Sequence, residues 1–470
     1  MKMQDIEETK YKPEDIQGNI VRGYNMHYVR HLILEVTDLA AARKFLAASV
    51  EGESEDVPAI TRELSWKKKP KFCFNIGLTY EGLRALGLSD VHLASFPTEF
   101  VEGLTKRALK IGDFGAAAPE HWPAPFDTPE RIHIIASIHS DSQEEMDHVQ
   151  EAVGTAFNII GVKDGRNLAK SKVVFGYTDS ISQPKLRHVN DPSQKGNTEA
   201  LDPLGMVLLG YPTRLEGVRF SMPTPEKELG FNGAFNAFRV LSQDAAGFEE
   251  FLTEAAEFLM RHKDGKALLP PGGQKRIGPN LTRKQAFREI IAAQMLGRWR
   301  NGTPYETSPD TPNPKPKVSL TNFDYTQKSR CPVGAHMRRC NPRGGPIVQH
   351  VANNTRRLIR RGMTYGPDFD PKKPDNEERG LLGNFLCANL GAQFEAVMYD
   401  WLNLGLQHPE ITGSNDPLLG ANSRETSWFD IVLPDGGKIR LHGFPRFVTP
   451  RGGAYTFLPS LRAIEYLANL

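Results

Sequence analysis

The sequence predicts an α+β protein in which helices pack on mainly antiparallel sheets, and three observations carry that expectation. Alternating apolar strands are each followed by an amphipathic helix in the first half of the chain, and the same theme returns in the second. A stretch around residues 200–225, with Asp202-Pro203, Tyr211-Pro212 and Met222-Pro-Thr-Pro225, separates the two. No G-x-G-x-x-G follows a strand, which argues against a doubly wound nucleotide-binding fold.

The elements follow in order. Tyr28 to Val36 alternates, with Tyr28, Leu32, Leu34 and Val36 on one face, and Thr37-Asp38 is placed to cap the next helix. Phe72 to Thr79 reads as a strand. Ile132 to Ile138 alternates cleanly, setting His133, Ser137 and His139 opposite Ile134, Ala136 and Ile138. Asp141-Ser-Gln-Glu144 has capping-box spacing with Asp141 as the cap, and Met146, Val149, Val153 and Phe157 form the apolar stripe of that helix. In the second half, Ala234 to Leu241 reads as a strand and Asp244 opens a helix with Phe248, Leu252, Ala255 and Leu259 on one side. Leu382 to Asn389 is strand-like and runs into a helix buried through Phe394, Val397, Met398 and Trp401. Asn301 to Lys317, with five prolines, is a loop.

At 470 residues, 39% hydrophobic and 24% charged, the chain is long enough for two cores or one large duplicated one. A net charge of +2 points to neither nucleic acid nor an anionic membrane, and no run approaches the roughly 20 apolar residues of a membrane helix. Met1 to Lys12 is charged and lacks an apolar signal core, so the chain as it stands reads as cytoplasmic, or as secreted with a leader already removed. Four cysteines are too sparse for a disulfide framework, and the absence of Cys-x-x-Cys-His argues against a thioether-linked haem.

Three clusters stand out chemically. The first is Arg330-Cys-Pro-Val-Gly-Ala-His336-Met-Arg-Arg-Cys-Asn-Pro-Arg343. Small residues beside His336 would let a flat macrocycle approach, and Arg338, Arg339 and Arg343 are available to carboxylates. Spacing alone also fits a core histidine, a zinc site from Cys331, His336 and Cys340, or thiolate ligation through Cys331. The second, Val174-Phe-Gly176-Tyr-Thr-Asp179-Ser-Ile-Ser-Gln-Pro184, delivers a carboxylate into a turn, a placement as common for a plain turn residue. The third, Arg356 to Pro367, is a charge run of the kind that usually faces solvent, in which Arg360 would have to point inward.

Taken jointly, these clusters resemble the dye-decolorizing peroxidase family. Gly176-Tyr-Thr-Asp179-Ser180 with Ile181-Ser-Gln-Pro184 resembles its G-x-x-D-G signature. Cys331 to His336 with Asn341-Pro-Arg343 is similar to its proximal-histidine segment, and Leu358 to Pro367 to its distal-arginine segment. Further similar stretches run in the family's order: Asp15 to Ile20, Met295-Leu-Gly-Arg-Trp299, Arg379 to Leu382 with Gln393-Phe-Glu395, and Phe447 to Gly453 with Phe457 to Leu461. Two positions depart from it: Ser180 replaces the last glycine of the signature, and Gly383 replaces an aromatic found in many relatives.

The resemblance implies two ferredoxin-like halves, 1–205 contributing the distal aspartate and 206–470 carrying the proximal histidine and distal arginine. It implies a haem b peroxidase with non-covalent haem, His336 as iron ligand, and Asp179 and Arg360 as the catalytic pair. Arg343, Arg338 and Leu382 are the further cofactor-binding candidates, and Asp416, ahead of Glu395, the acceptor that orients His336. Hydrogen peroxide and a dye-like or phenol-like donor, small or surface-bound, are the implied partners, with a homo-oligomer compatible. The implied alternatives are a haem-delivery protein with incidental peroxidase activity and a related porphyrin-processing enzyme.

Overall fold

A computed structural model describes residues 11–168, 172–187, 189, 201–215, 217–325, 329–347 and 354–470. Most of the charged N-terminal stretch and part of the expected break near residue 200 lie outside these. Eight strands form one closed barrel in the order β4-β1-β3-β2-β10-β5-β7-β6. They are β1 (Tyr28–Glu35), β2 (Phe72–Leu78), β3 (Ile134–Ser140), β4 (Asn158–Arg166), β5 (Ala234–Gln243), β6 (Ile359–Tyr365), β7 (Gly380–Cys387) and β10 (Val448–Leu458). A separate hairpin pairs β8 (Trp428–Val432) with β9 (Lys438–His442).

The barrel order resolves into two antiparallel four-stranded sheets with the same internal arrangement. Strands β1 to β4 lie as 4-1-3-2, and β5, β6, β7 and β10, counted one to four, repeat it. This is the ferredoxin-like arrangement twice over. Pairing within each sheet is extensive, as in Leu32↔Ala136 and Ala237↔Phe385. The two seams are thin, each a single registered pair, Phe457↔Leu78 and Arg166↔Thr364.

Helices cover the outer faces. Helix Leu39–Glu51 is capped by Asp38, whose side chain accepts from Ala41 N, and it buries Ala42, Phe45 and Leu46. Helix Gln143–Gly154 is capped one residue later than expected. Ser142 accepts from Glu145 N, while Asp141 accepts from His27 N and pairs with Lys69. The expected stripe Met146, Val149, Val153 and Phe157 is buried. Asp244 caps the 17-residue helix Ala245–Arg261 as expected. The helix after β7 is π-helical in two stretches, Leu390–Glu395 and Val397–Asn403, a widened geometry found mostly near functional sites.

Inside the barrel the halves meet through His31 and Phe238, whose rings lie 4.9 Å apart edge to face. Burial pulls the His31 pKa down to about 3, with His139 adding to the effect. Residues 204–211, part of the expected break, are packed: Leu204, Met206, Val207, Leu208 and Tyr211 are buried with Ile16 and Ile20.

Candidate active site

The third cluster, expected as a charge run, is strand β6. Period two then separates its adjacent arginines onto opposite faces. Arg361 turns one way and donates to the carbonyls of Asn19 (3.3 Å) and Val21 (2.7 Å). Arg360 turns the other way, donating through Nη2 to Ser182 O at 2.7 Å, while its backbone exchanges hydrogen bonds with the Gln183 amide (3.1 and 2.6 Å). The arginine is thus tied directly to the segment that carries Asp179.

That segment is held by Arg300 and Ala292, which flank the Met295–Trp299 stretch. Thr178 donates through N and Oγ1 to Arg300 O (2.9 and 3.0 Å), and Tyr177 OH donates to Ala292 O (2.9 Å). Arg300 also bonds Phe175 O and pairs with Glu249 at 2.6 Å. Asp179 emerges exposed from this anchored turn. Ser180 sits at φ +58°, the left-handed region that favours glycine, so the departure from glycine costs about 1 kcal/mol of backbone strain.

On the proximal side, His336 opens the short helix His336–Cys340. Its Nδ1 lies 3.1 Å from Asp416 Oδ2. Asp416 is fully buried, and its other oxygen accepts from Leu418 N (2.9 Å) and Leu419 N (2.8 Å). Burial pushes the carboxyl pKa up, but His336 and Arg339 outweigh it and hold the group below its ordinary value. Burial likewise disfavours charge on His336, and Cys340 and Asp416 override that to raise it. A carboxylate only accepts, so Nδ1 carries a proton and Nε2 is the ring nitrogen left outside the pair with Asp416. Cys340 Sγ lies 3.8 Å from that nitrogen.

The loop bearing Asp416 is fixed by Arg339, which sequence reasoning did not assign. Its buried guanidinium donates to Gly334 O (3.1 Å), Trp401 O (3.1 Å), Ser414 O (2.9 Å) and Ser414 Oγ (2.6 Å). The arginine run after His336 did signal cations; nothing in it distinguished the one that turns inward. Glu395 is elsewhere: it chelates Arg107 (2.9 and 2.5 Å) and accepts from Tyr455 OH (3.1 Å), too committed to orient His336.

The other cofactor candidates separate. Arg338 donates to Ser329 Oγ (2.9 Å) and Cys331 O (2.5 Å) and stacks on Tyr325, so its guanidinium is occupied within its own loop. Arg343 covers Phe323 at 4.4 Å and reaches Ser182 Oγ at 3.3 Å, beside the distal segment. Leu382 must be corrected. It pairs with Val240 and shares the inner face with Phe238, whereas Arg360 shares the outer face of β6 and β7 with Leu381, Gly383 and Phe385. Leu381 and Phe385 pack on the second core, which contains Ala335, next to His336.

These residues fit a haem. An imidazole is held through Nδ1 with Nε2 outside that pair, and a cationic region lies nearby. Arg298 is buried, donates to Gly302 O (2.9 Å) and Leu320 O (2.7 Å), and leaves Nη2 without a partner among the described residues. Burial first, then Arg343, pulls its pKa down to about 10, and Arg360 adds to the repulsion. Buried positive charge of this kind calls for an anionic group such as a propionate. No group of three His, Cys, Asp or Glu side chains among the described residues is placed to hold a metal ion, so the zinc alternative gains no support. A cleft of about 740 Å³ lies behind Cys331 to Gly334, lined also by His408 and Trp428; none of His336, Asp179 or Arg360 borders it. No helix among the described residues is long and apolar enough to cross a membrane.

Comparison with known proteins agrees with the fold. Residues 15–163 match the family described as the DyP dimeric alpha+beta barrel domain. A dye-decolorizing peroxidase of Exidia glandulosa is 25% identical over 98% of this chain and 88% of its own length. A multifunctional dye peroxidase of Amycolatopsis sp. is 25% identical over 97% and 95%. Among solved structures, a dye-decolorizing peroxidase variant in complex with cyanide has a TM-score of 0.78 at 26% identity, covering 98% of this chain and 100% of that one. Another, in complex with 2,6-dimethoxyphenol, has a TM-score of 0.77 at 25% identity, covering 98% and 100%. Over nearly its whole length the chain is similar to dye-decolorizing peroxidases, and residues 15–163 match their barrel-domain family.

Proposed function

We propose that this chain is a peroxidase that reduces hydrogen peroxide on a non-covalently bound haem b and oxidises a dye-like or phenol-like donor. In this reading residues 1–205 supply Asp179, and residues 206–470 supply His336 and Arg360. The observation that carries it is the joint placement of the two clusters. Arg360 is bonded to the Asp179 segment, and His336 is held through Nδ1 by a buried carboxylate, which leaves Nε2 outside that pair.

His336 Nε2 would ligate the iron, Asp416 would fix its tautomer, and Arg343 with Arg298 would receive the propionates. When bound, the haem supplies a redox-active iron that accepts peroxide and stores its oxidising equivalents. The protein supplies proton management and charge. Peroxide has to lose a proton from one oxygen, and its other oxygen has to leave as water. The Asp179 carboxylate takes the first proton and returns it to the departing oxygen. Arg360 offers a fixed positive charge where negative charge develops as the O–O bond breaks, and its ties to Ser182 and Gln183 preset that position. Relatives in this family are peroxidases, and one solved neighbour holds 2,6-dimethoxyphenol, which supports a phenolic donor.

The test is peroxide-dependent oxidation of 2,6-dimethoxyphenol by the reconstituted protein. Asp179→Asn and Arg360→Leu should each lower the rate of peroxide consumption by at least ~10-fold while the haem spectrum is kept. A haem carrier needs neither side chain, so unchanged turnover in both variants would contradict the reading.

A further inference from the structure

On the outer face of β6 and β7, the pair directly beside Arg360↔Phe385 is Gly362↔Gly383. Two facing glycines leave a side-chain gap on the face that carries the arginine. The gap at Gly383 is filled by Phe385, two residues further along the same face. A Cβ built on Gly383 would meet Phe385 Cε2 at 2.8 Å and Cζ at 3.2 Å, so the ring leans back over the glycine. At Gly362 a Cβ would meet Leu382 O at 3.2 Å and Leu381 Cδ1 at 3.4 Å, so the floor of the gap is a backbone carbonyl beside a leucine side chain. The Phe385 ring is braced by Phe394, whose centroid lies 5.5 Å away, and is packed against both cores while only half-buried. An aromatic ring thus stands across the strand from Arg360, although position 383 carries no side chain.

We propose that Phe385 is the residue that sets the size of the ligand admitted beside Arg360, passing hydrogen peroxide and excluding molecules with a ring or a bulky tail. The proposal deepens the peroxidase reading and rests on it. Gly383 serves the same purpose, since any side chain there displaces the ring. Rigid walls discriminate strongly by size because an oversized ligand has to move packed side chains.

Ligand binding to the resting haem protein, followed by absorption, tests this without turnover. Cyanide and imidazole are the probes, the first small and the second a flat ring. In the wild type, cyanide should bind readily and imidazole weakly. Phe385→Ala should tighten imidazole at least about 10-fold and leave cyanide within about twofold, with Phe385→Leu in between. If the two ligands respond alike, or imidazole is unaffected in both variants, the size-limiting role is overturned while the haem site stands. A wild-type protein that binds neither haem nor cyanide would instead overturn the functional reading, and this proposal with it.

Discussion

Replacing Asp416 by Asn is the sharpest perturbation of the proximal side, because it keeps shape and removes one charge. Asp416 makes three hydrogen bonds from a site of zero exposure: two accepted at Oδ1 from Leu418 N and Leu419 N, one at Oδ2 near His336 Nδ1. Asparagine has one acceptor oxygen. If that oxygen keeps the two backbone bonds, its NH2 faces the Nδ1–H of His336, donor against donor. An unsatisfied buried donor costs about 1–3 kcal/mol. If His336 escapes by moving its proton to Nε2, it gives up the lone pair meant for iron. Either way haem affinity should fall by about 10- to 100-fold, the usual scale for losing such a partner. The lost negative charge also favours the reduced metal, so the midpoint potential should rise. Haem transfer to an acceptor protein measures the first quantity and a spectroelectrochemical titration the second. A variant with wild-type haem affinity and an unchanged potential would refute the orienting role of Asp416.

Further perturbations have equally defined outcomes. Asp179→Asn should slow formation of the oxidised enzyme in stopped-flow mixing with peroxide, and Arg360→Leu should do so by at least ~10-fold; wild-type rates would remove either residue from the mechanism. Arg298→Met should weaken haem binding about 10- to 100-fold, the scale of one charge-assisted hydrogen bond, whereas Arg298→Lys should retain more of it in the same titration. Burial holds the pKa of His31 near about 3, and burial with Arg361 holds that of His139 near about 4. A base depressed on folding contributes stability that is complete above its unfolded pKa and drains away as pH falls toward the folded value. Thermal melts should therefore decline from about pH 7 toward about pH 4, and His139→Gln should flatten part of that slope; parallel curves would contradict the assignment.

Much of the fold was legible because burial imposes period two on strands and a stripe on helices. β1, β2, β3, β5 and β7 each announced themselves this way, as did the caps Asp38 and Asp244. The strands that escaped notice are those whose faces are not sorted by polarity. β4 carries Lys163, Asp164 and Arg166 and is mostly half-buried or exposed. β10 contains Pro450, Gly452 and Gly453, with a register shift between Pro450 and Gly452 that breaks the alternation. In β6, Arg360 and Arg361 look like one charged surface in sequence and are separated only by the pleat.

The site was legible unevenly for the same reason. The residues proposed to sit beside a reacting atom, His336, Asp179 and Arg360, lie in distinctive local patterns. Their supports come from afar: Arg339 reaches across 75 residues to Ser414, and Asp416 across 80 to His336. The face of β7 was misjudged by one residue, which in a strand is the difference between the barrel interior, where Leu382 packs, and the outer face of Leu381 and Phe385. Gly383 was visible as a missing aromatic; that Phe385 occupies the gap is a three-dimensional fact.

The central claim is that the imidazole of His336 binds haem iron, and the direct measurement is the absorption and electron paramagnetic resonance spectrum of haem-reconstituted wild type beside His336→Ala. The wild type should show a Soret band and the axial signature of a single imidazole. The variant should lose that signature and regain it when free imidazole is added. A variant that keeps the imidazole signature unaided, or a wild type that takes up no haem, would contradict the account.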